Sequence, residues 1–317
     1  MEENKGMKPG MATLNPQLTS AFPCFSSRSF FVLPAMLNLF SLISRPYRRR
    51  FLYPLLSFVV ALGLIVGTAQ ASQASLFDVI LRGIQVIQLS NISDRQEVEI
   101  GRQINQELVS REIRLYRNPE INRYINEIGQ RLEKESKRPD IPYTFQVVND
   151  KGINAFATMG GFVYVNAGLI AAADNEAQLA SVMAHEIGHI AGRHSIQQMR
   201  QSAIAGGVAA ATGLDRSTAV RIGVDLALRR PNSRKDELEA DQLGLEMLQG
   251  AGYAPSGMVA FMEKLLKRGG SVPSFLSTHP ATSDRISALE QAIPSAQANV
   301  GDGLNTNAYK NKIRALL

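Results

Sequence analysis

The chain has a single cysteine, Cys24, close to its start. The rest of it therefore forms no internal disulfide, no iron–sulfur site and no thiolate-held zinc site, so any metal must be held by His, Asp or Glu. The missing thiols do not fix the compartment, because reducing and oxidising compartments both accept cysteine-free proteins. Histidine is scarce too, with only His185, His189, His194 and His279 in 317 residues. No basic stripe or aromatic-rich nucleic-acid motif is present, and no internal repeat. The formal net charge is +6, but residues 1–71 hold seven Lys/Arg against two acids, leaving 27 basic and 26 acidic residues in the remainder. The basic character belongs to the leader, and no nucleic-acid partner is expected. The composition, 45% hydrophobic and 20% charged, is that of a globular protein long enough for one or two domains.

Residues 45–50 form a basic cluster, residues 55–66 an apolar run of signal-peptide length, and Ala69-Gln70-Ala71 an A-x-A site, which predicts cleavage after Ala71. The run is short against the roughly 20 apolar residues of a membrane span. Counted from Phe51 it lengthens, so an uncleaved anchor over residues 51–69 is the alternative. The extension 1–44 is long for a signal peptide. Either Met36 is the effective start, the favoured reading, or the apolar stretches 30–43 and 55–66 form a hairpin around the arginines. In each case the body is expected to be exported to a periplasmic or equivalent compartment, or tethered facing away from the cytoplasm, with a membrane surface within reach.

Ser93 followed by Gln96 has capping-box spacing, and Val98, Ile100, Ile104, Leu108 and Ile113 form a helical stripe. Ile121, Tyr124, Ile125, Ile128 and Leu132 predict a second helix. YTFQVVND (143–150) reads as a strand before a turn, and 162–165 as a second strand behind Gly160-Gly161. Asp174 or Asn175 caps a helix expected to run towards Arg200. The Ala/Gly/Val-rich stretch 202–228, interrupted by Gly206, Gly207 and Gly213, reads as buried or membrane-apposed helical pieces. Ser233 with Asp236 caps another helix, ending near Gly250. The expected fold is α+β and mostly helical, with a small sheet preceding the His-rich helix. The organisation is leader 1–71, linker 72–92, one domain over 93–296 and a flexible tail over 297–317.

The chemistry concentrates in VMAHEIGHIAGRH (182–194). Four residues apart on a helix, His185 and His189 share a face and can grip one metal ion, while Glu186 is offset towards a metal-bound water. This is the H-E-x-x-H pattern of zinc peptidases. The bland alternative is a pair of hydrogen-bonded helix histidines beside a solvated Glu186. Gly188 costs its helix about 1 kcal/mol against alanine, which a close backbone approach or a substrate would explain. A catalytic zinc needs a third protein ligand and an open fourth position. On spacing, His194, His279 and a carboxylate all remain candidates. Glu237 and Asp241 lie on one face of the helix in SRKDELEAD (233–241), where Glu237 could bind metal and Asp241 accept a hydrogen bond from His185. A solvated acidic face is the competing reading.

HEIGH (185–189), SRKDELEAD, NAFATMGGFVYVNAGLI (154–170) and His279-Pro280 together resemble the zinc metallopeptidase family of the CAAX prenyl endopeptidase, HtpX-type, Oma-type and periplasmic β-barrel-assembly-enhancing proteases. The likeness covers about residues 93–293 and is nearest to the soluble, exported members. It implies a zincin-type domain holding one Zn2+ per chain on His185, His189 and Glu237, with Glu186 as catalytic base and Asp241 supporting a ligand histidine. His194, about 140° around the helix from His189, is then expected to face elsewhere. His279, in the polar loop STHPATS, enters the site to stabilise the oxyanion or takes the fourth zinc position, with a surface-loop histidine as the bland reading. The segment Gly160, Gly161, Phe162, Val163, Tyr164 and Val165 is expected to be an edge strand to which extended substrate adds. The implied function is a zinc-dependent endopeptidase acting on misfolded or membrane-associated proteins outside the cytoplasm. The alternative is a zinc-binding holdase or assembly factor with little proteolysis.

Overall fold

The computed structural model describes residues 89, 91–206, 214–268, 273–280 and 283–317. The chain divides into two units, Met1–Asp78 and Val79–Leu317. The readings made on the leader, its cleavage and start, most of the linker, and Gly207 and Gly213 fall outside the described residues. Among the described residues no helix is long and apolar enough to cross a membrane.

Helix α1 (Asp94–Glu107) opens with the expected capping box: the Gln96 amide donates to Ser93 Oγ and the Ser93 amide to Gln96 Oε1. It buries Ile100 and Ile104 and runs into a single π turn, Leu108–Glu112. Helix α2 (Pro119–Glu133) begins with proline in its first turn, where no intrahelical donor is lost, behind an Asn118 cap. Its stripe Ile121, Ile125, Ile128 and Leu132 is buried.

Strands β1 (Thr144–Val148), β2 (Ala155–Thr158) and β3 (Phe162–Asn166) form one sheet in the order β1-β3-β2. Strand β3 runs parallel to β1 and antiparallel to β2. The edge-strand expectation for residues 160–165 is therefore wrong. β3 is the central strand and every one of its residues is buried. Its alternation feeds two cores, with Val163 and Val165 on the α2 side and Phe162 and Tyr164 on the α1 side. Gly160 (φ 78°) and Gly161 (φ 97°) make the β2–β3 turn, packed against Val98 and Pro142. Strand β2, only AFAT, was not anticipated; two alanines carry little strand signal.

After the short α3 (Ala167–Ala172), helix α4 (Glu176–Ala191) passes through the centre of the unit and is buried along nearly its whole length. Its cap is Asn175, whose side chain accepts from the Gln178 amide. The helix does not reach Arg200. It breaks at Gly192–Arg193, and α5 (His194–Ala205) starts in a new direction. Asp215 caps α6 (Arg216–Arg229), and Ser233 caps α7 (Arg234–Gly250) as its spacing predicted. Then follow α8 (Ser256–Lys267), α9 (Ser274–Thr278) and α10 (Ser283–Ala292). The tail expected to be flexible is instead packed. Asp302 pairs with Arg131 at 2.7 Å, the Gly303 carbonyl accepts from the Ala177 amide, and α11 (Thr306–Lys312) buries Tyr309, whose hydroxyl donates to the Ile170 carbonyl. Polar residues and small ones are common in it, with four asparagines, but two apolar anchors, Tyr309 and Ile313, suffice to seat it.

Candidate metal centre

Helix α4 delivers His185 and His189 one turn apart, with their Nε2 atoms 3.0 Å from each other. Helix α7 lies against α4 at glycine contacts on both sides. A Cβ on Gly188 would meet the Ala240 backbone, and one on Gly244 the His185 backbone. That approach lets Glu237 reach over, with Oε1 3.3 Å from His189 Nε2 and Oε2 3.5 Å from His185 Nε2. The loop after α9 adds His279, whose Nδ1 is 3.3 Å from His185 Nε2 and 3.0 Å from Glu237 Oε1. The four residues are buried, and their donor atoms lie within 4.8 Å of one another.

Zinc–ligand bonds of about 2.0–2.1 Å place tetrahedral donors about 3.3 Å apart. The observed separations cluster around that value, and three imidazoles with a carboxylate and no thiolate suit zinc. Two of the ligands already have the charge a metal needs, whereas His185, which burial lowers but Asp241 and Glu237 raise to about 9, gives up a proton when metal binds. Burial pushes His189 well below its ordinary range, keeping it neutral. Glu237 is held far below the usual carboxylate range, since His279 and His185 outweigh the cost of its burial.

Asp241, one turn along α7, sits with Oδ1 2.9 Å from His185 Nδ1. Sequence reasoning missed what steadies it. Arg285 of α10, 1% exposed, donates from Nε and Nη2 to the two Asp241 oxygens, each at 2.6 Å, and its Nη1 is 2.5 Å from Glu237 Oε2. Asn232 was also missed. Its backbone amide donates to the Thr278 carbonyl, and its Nδ2 lies 3.2 Å from His279 Nδ1. Both depend on contacts between distant segments, and no local pattern marks them.

Glu186 is fully buried and makes no hydrogen bond among the described residues. Burial raises its pKa, the direction that brings a carboxylate towards use as a general base at neutral pH. His279 Nε2 stands 3.4 Å from it. The adjoining cleft is lined by Phe156, Ala157 and Thr158 of β2, together with Glu186, His189 and Leu226. The strand bordering the cleft is thus β2, while β3 lies behind it. His194 does not face away as helix geometry implied, for its Nδ1 is 2.8 Å from His189 Nδ1.

Residues 119–293, more than half of the chain, match peptidase family M48. The chain is 33% identical over 217 residues to the β-barrel assembly-enhancing protease of Escherichia coli (strain K12), covering 62% of this chain and 44% of that protein. It is 31% identical over 180 residues to the mitochondrial metalloendopeptidase OMA1 of Schizosaccharomyces pombe, covering 55% and 53%. For OMA1 of Saccharomyces cerevisiae the identity is 34% over 167 residues, covering 49% and 48%. The chain spans about half the length of these curated relatives.

Proposed function

The chain belongs to peptidase family M48, and from that premise we propose that it is a zinc-dependent endopeptidase cleaving misfolded or membrane-associated polypeptides outside the cytoplasm. The observation that carries the reading is Glu186, a fully buried carboxylate without a hydrogen bond, beside four donors at tetrahedral spacing. A site that bound metal only for structure would have no use for it.

His185, His189 and Glu237 would hold the ion, which when bound polarises a peptide carbonyl and acidifies water towards neutrality. Glu186 takes the proton from the attacking water and passes it to the leaving amine. Asp241 accepts from His185 Nδ1, keeping Nε2 turned to the donor cluster, and Arg285 keeps Asp241 ionised. His279 would close the set as a fourth ligand, and it would then have to withdraw for substrate to enter. Substrate would lie along β2, which among the described residues pairs with β3 and with no second strand. Pairing through the backbone tolerates many sequences, which suits quality control. Export rests on the basic cluster, apolar run and A-x-A site of residues 45–71, and accords with relatives named as a β-barrel assembly-enhancing and a mitochondrial protease.

The closed donor set also favours a second reading, a holdase keeping zinc for structure, because structural zinc sites are four-coordinate. Zinc content and cleavage of an unfolded protein, measured on the wild type, Glu186→Gln and His279→Ala, separate the two. The peptidase predicts that Glu186→Gln keeps zinc and loses cleavage by at least two orders of magnitude, and that His279→Ala cleaves faster. Slower cleavage by His279→Ala would instead assign His279 to the oxyanion. Zinc bound with equal cleavage by Glu186→Gln would favour the holdase.

A further inference from the structure

Arg193 is the single non-glycine residue with positive φ, 57°, among the described residues, a conformation in which Cβ crowds the carbonyl of an L residue. Its own side chain holds it there. Arg193 Nε and Nη2 donate to Glu97 Oε2 at 3.1 and 3.0 Å, and Nη2 also reaches Asp94 Oδ1 and the Ile92 carbonyl. Glu97, 1% exposed, is gripped in turn by Arg138 through both carboxylate oxygens, at 3.0 and 2.7 Å.

This turn has a consequence at the metal centre. Had α4 continued, His194 would point about 140° away from His189. The reversal at Arg193 makes His194 the first residue of α5 and sets its Nδ1 2.8 Å from His189 Nδ1. Gly192 leaves room for the ring, since a Cβ there would stand 2.4 Å from His194 Nε2. On its far side His194 Nε2 faces Glu239 Oε2 at 3.6 Å.

A metal held by His189 Nε2 requires the proton of that ring to sit on Nδ1. The acceptor in reach is His194 Nδ1, which is free to accept only if His194 carries its own proton on Nε2, towards Glu239. His185 is served directly by a carboxylate, Asp241. His189 is served by a second imidazole, whose Nε2 faces the Glu239 carboxylate at 3.6 Å, beyond hydrogen-bond distance.

We propose that His194 is a positioning residue for His189, holding it with Nδ1 protonated and Nε2 free for metal, and that the Glu97-clamped turn at Arg193 serves to deliver it. The inference rests on the metal-binding part of the proposed function and is independent of catalysis.

The test uses full-length protein, with zinc affinity measured by chelator competition for the wild type, His194→Leu and His194→Asn. The Asn side-chain oxygen can stand where His194 Nδ1 stood, whereas Leu offers no acceptor. His194→Leu should bind zinc roughly 10–100-fold more weakly, and His194→Asn should recover most of that loss. Long-range 1H–15N spectra of the zinc-loaded wild type should show His189 protonated on Nδ1, with slow proton exchange that persists in the Asn variant. Wild-type zinc affinity in His194→Leu, or an Asn variant as weak as Leu, would overturn the proposal. If His194→Leu does not fold, the wild-type spectrum and the Asn variant decide, and a fast-exchanging Nδ1 proton on His189 overturns it. A wild type that binds no zinc would defeat this inference along with its premise. Zinc binding without Glu186-dependent cleavage would defeat the peptidase reading alone.

Discussion

Gly188 lies in the last turn of α4, one residue before His189, where helix propensity alone favours alanine by up to about 1 kcal/mol. The packing argues the other way. A Cβ at this position would stand 2.7 Å from the Ala240 carbonyl oxygen, 3.1 Å from its Cα and 3.3 Å from its carbonyl carbon. These are backbone atoms of α7, so no rotamer change relieves them. The helices must part by about 0.7 Å to recover an ordinary 3.4 Å contact with that oxygen. Overpacking of this kind costs ~1–3 kcal/mol, which cancels or outweighs the propensity gain and leaves a net loss of roughly 0–2 kcal/mol. The effect on the metal centre should be larger. Glu237 on α7 must stay 3.3 Å from His189 Nε2 and 3.5 Å from His185 Nε2 on α4, while metal–ligand distances tolerate only about 0.2 Å. Gly188→Ala should therefore weaken zinc binding at least about tenfold, or ~1.4 kcal/mol, with the metal-free Tm unchanged or a few degrees lower. Chelator competition measures the first quantity and calorimetry the second. A variant with wild-type zinc affinity and a raised Tm would follow propensity alone, and would refute the claim that glycine contacts between α4 and α7 set the ligand spacing.

Arg285→Leu removes the buried guanidinium that faces both Asp241 and Glu237, and should destabilise the protein by ~3–5 kcal/mol, read from denaturant midpoints. A loss under about 1 kcal/mol, the scale of a surface pair, would show that the two carboxylates find another partner. In the metal-free protein burial lowers the pKa of His185, but Asp241 and Glu237 prevail and raise it to about 9. A folded pKa above the unfolded value of about 6.5 gives stability that is complete below that value and lost as pH rises through about 9. Chelator-treated protein should thus lose Tm between about pH 6.5 and 9 more steeply than zinc-loaded protein, whose His185 has no proton left to titrate. Parallel Tm curves would contradict this assignment.

The residues most readable in the chain were those whose relationship is local. His185 and His189 share a face because both sit on one helix, and the same four-residue spacing joins Glu237 to Asp241. Capping chemistry marked the starts of α1 and α7 for the same reason, since Ser93 meets Gln96 and Ser233 meets Asp236 three residues on. Composition misled at the tail, where Tyr309 and Ile313 outweigh the polar residues around them.

What sequence alone determined is that His185 and His189 share one helix face and Glu237 and Asp241 another, while spacing left the rest of the donor set open. Tertiary structure decided how those helices meet, through the backbone contacts at Gly188 and Gly244. It decided that β3 is interior, because an edge is defined by missing neighbours and β2 fills that side. It brought Arg285 to Asp241 across 44 residues. It also turned His194 back to His189, because a single torsion at Arg193 is set by Glu97, 96 residues earlier. Periodicity reports a residue's place on its own helix, and it carries no information about a partner that arrives from another one.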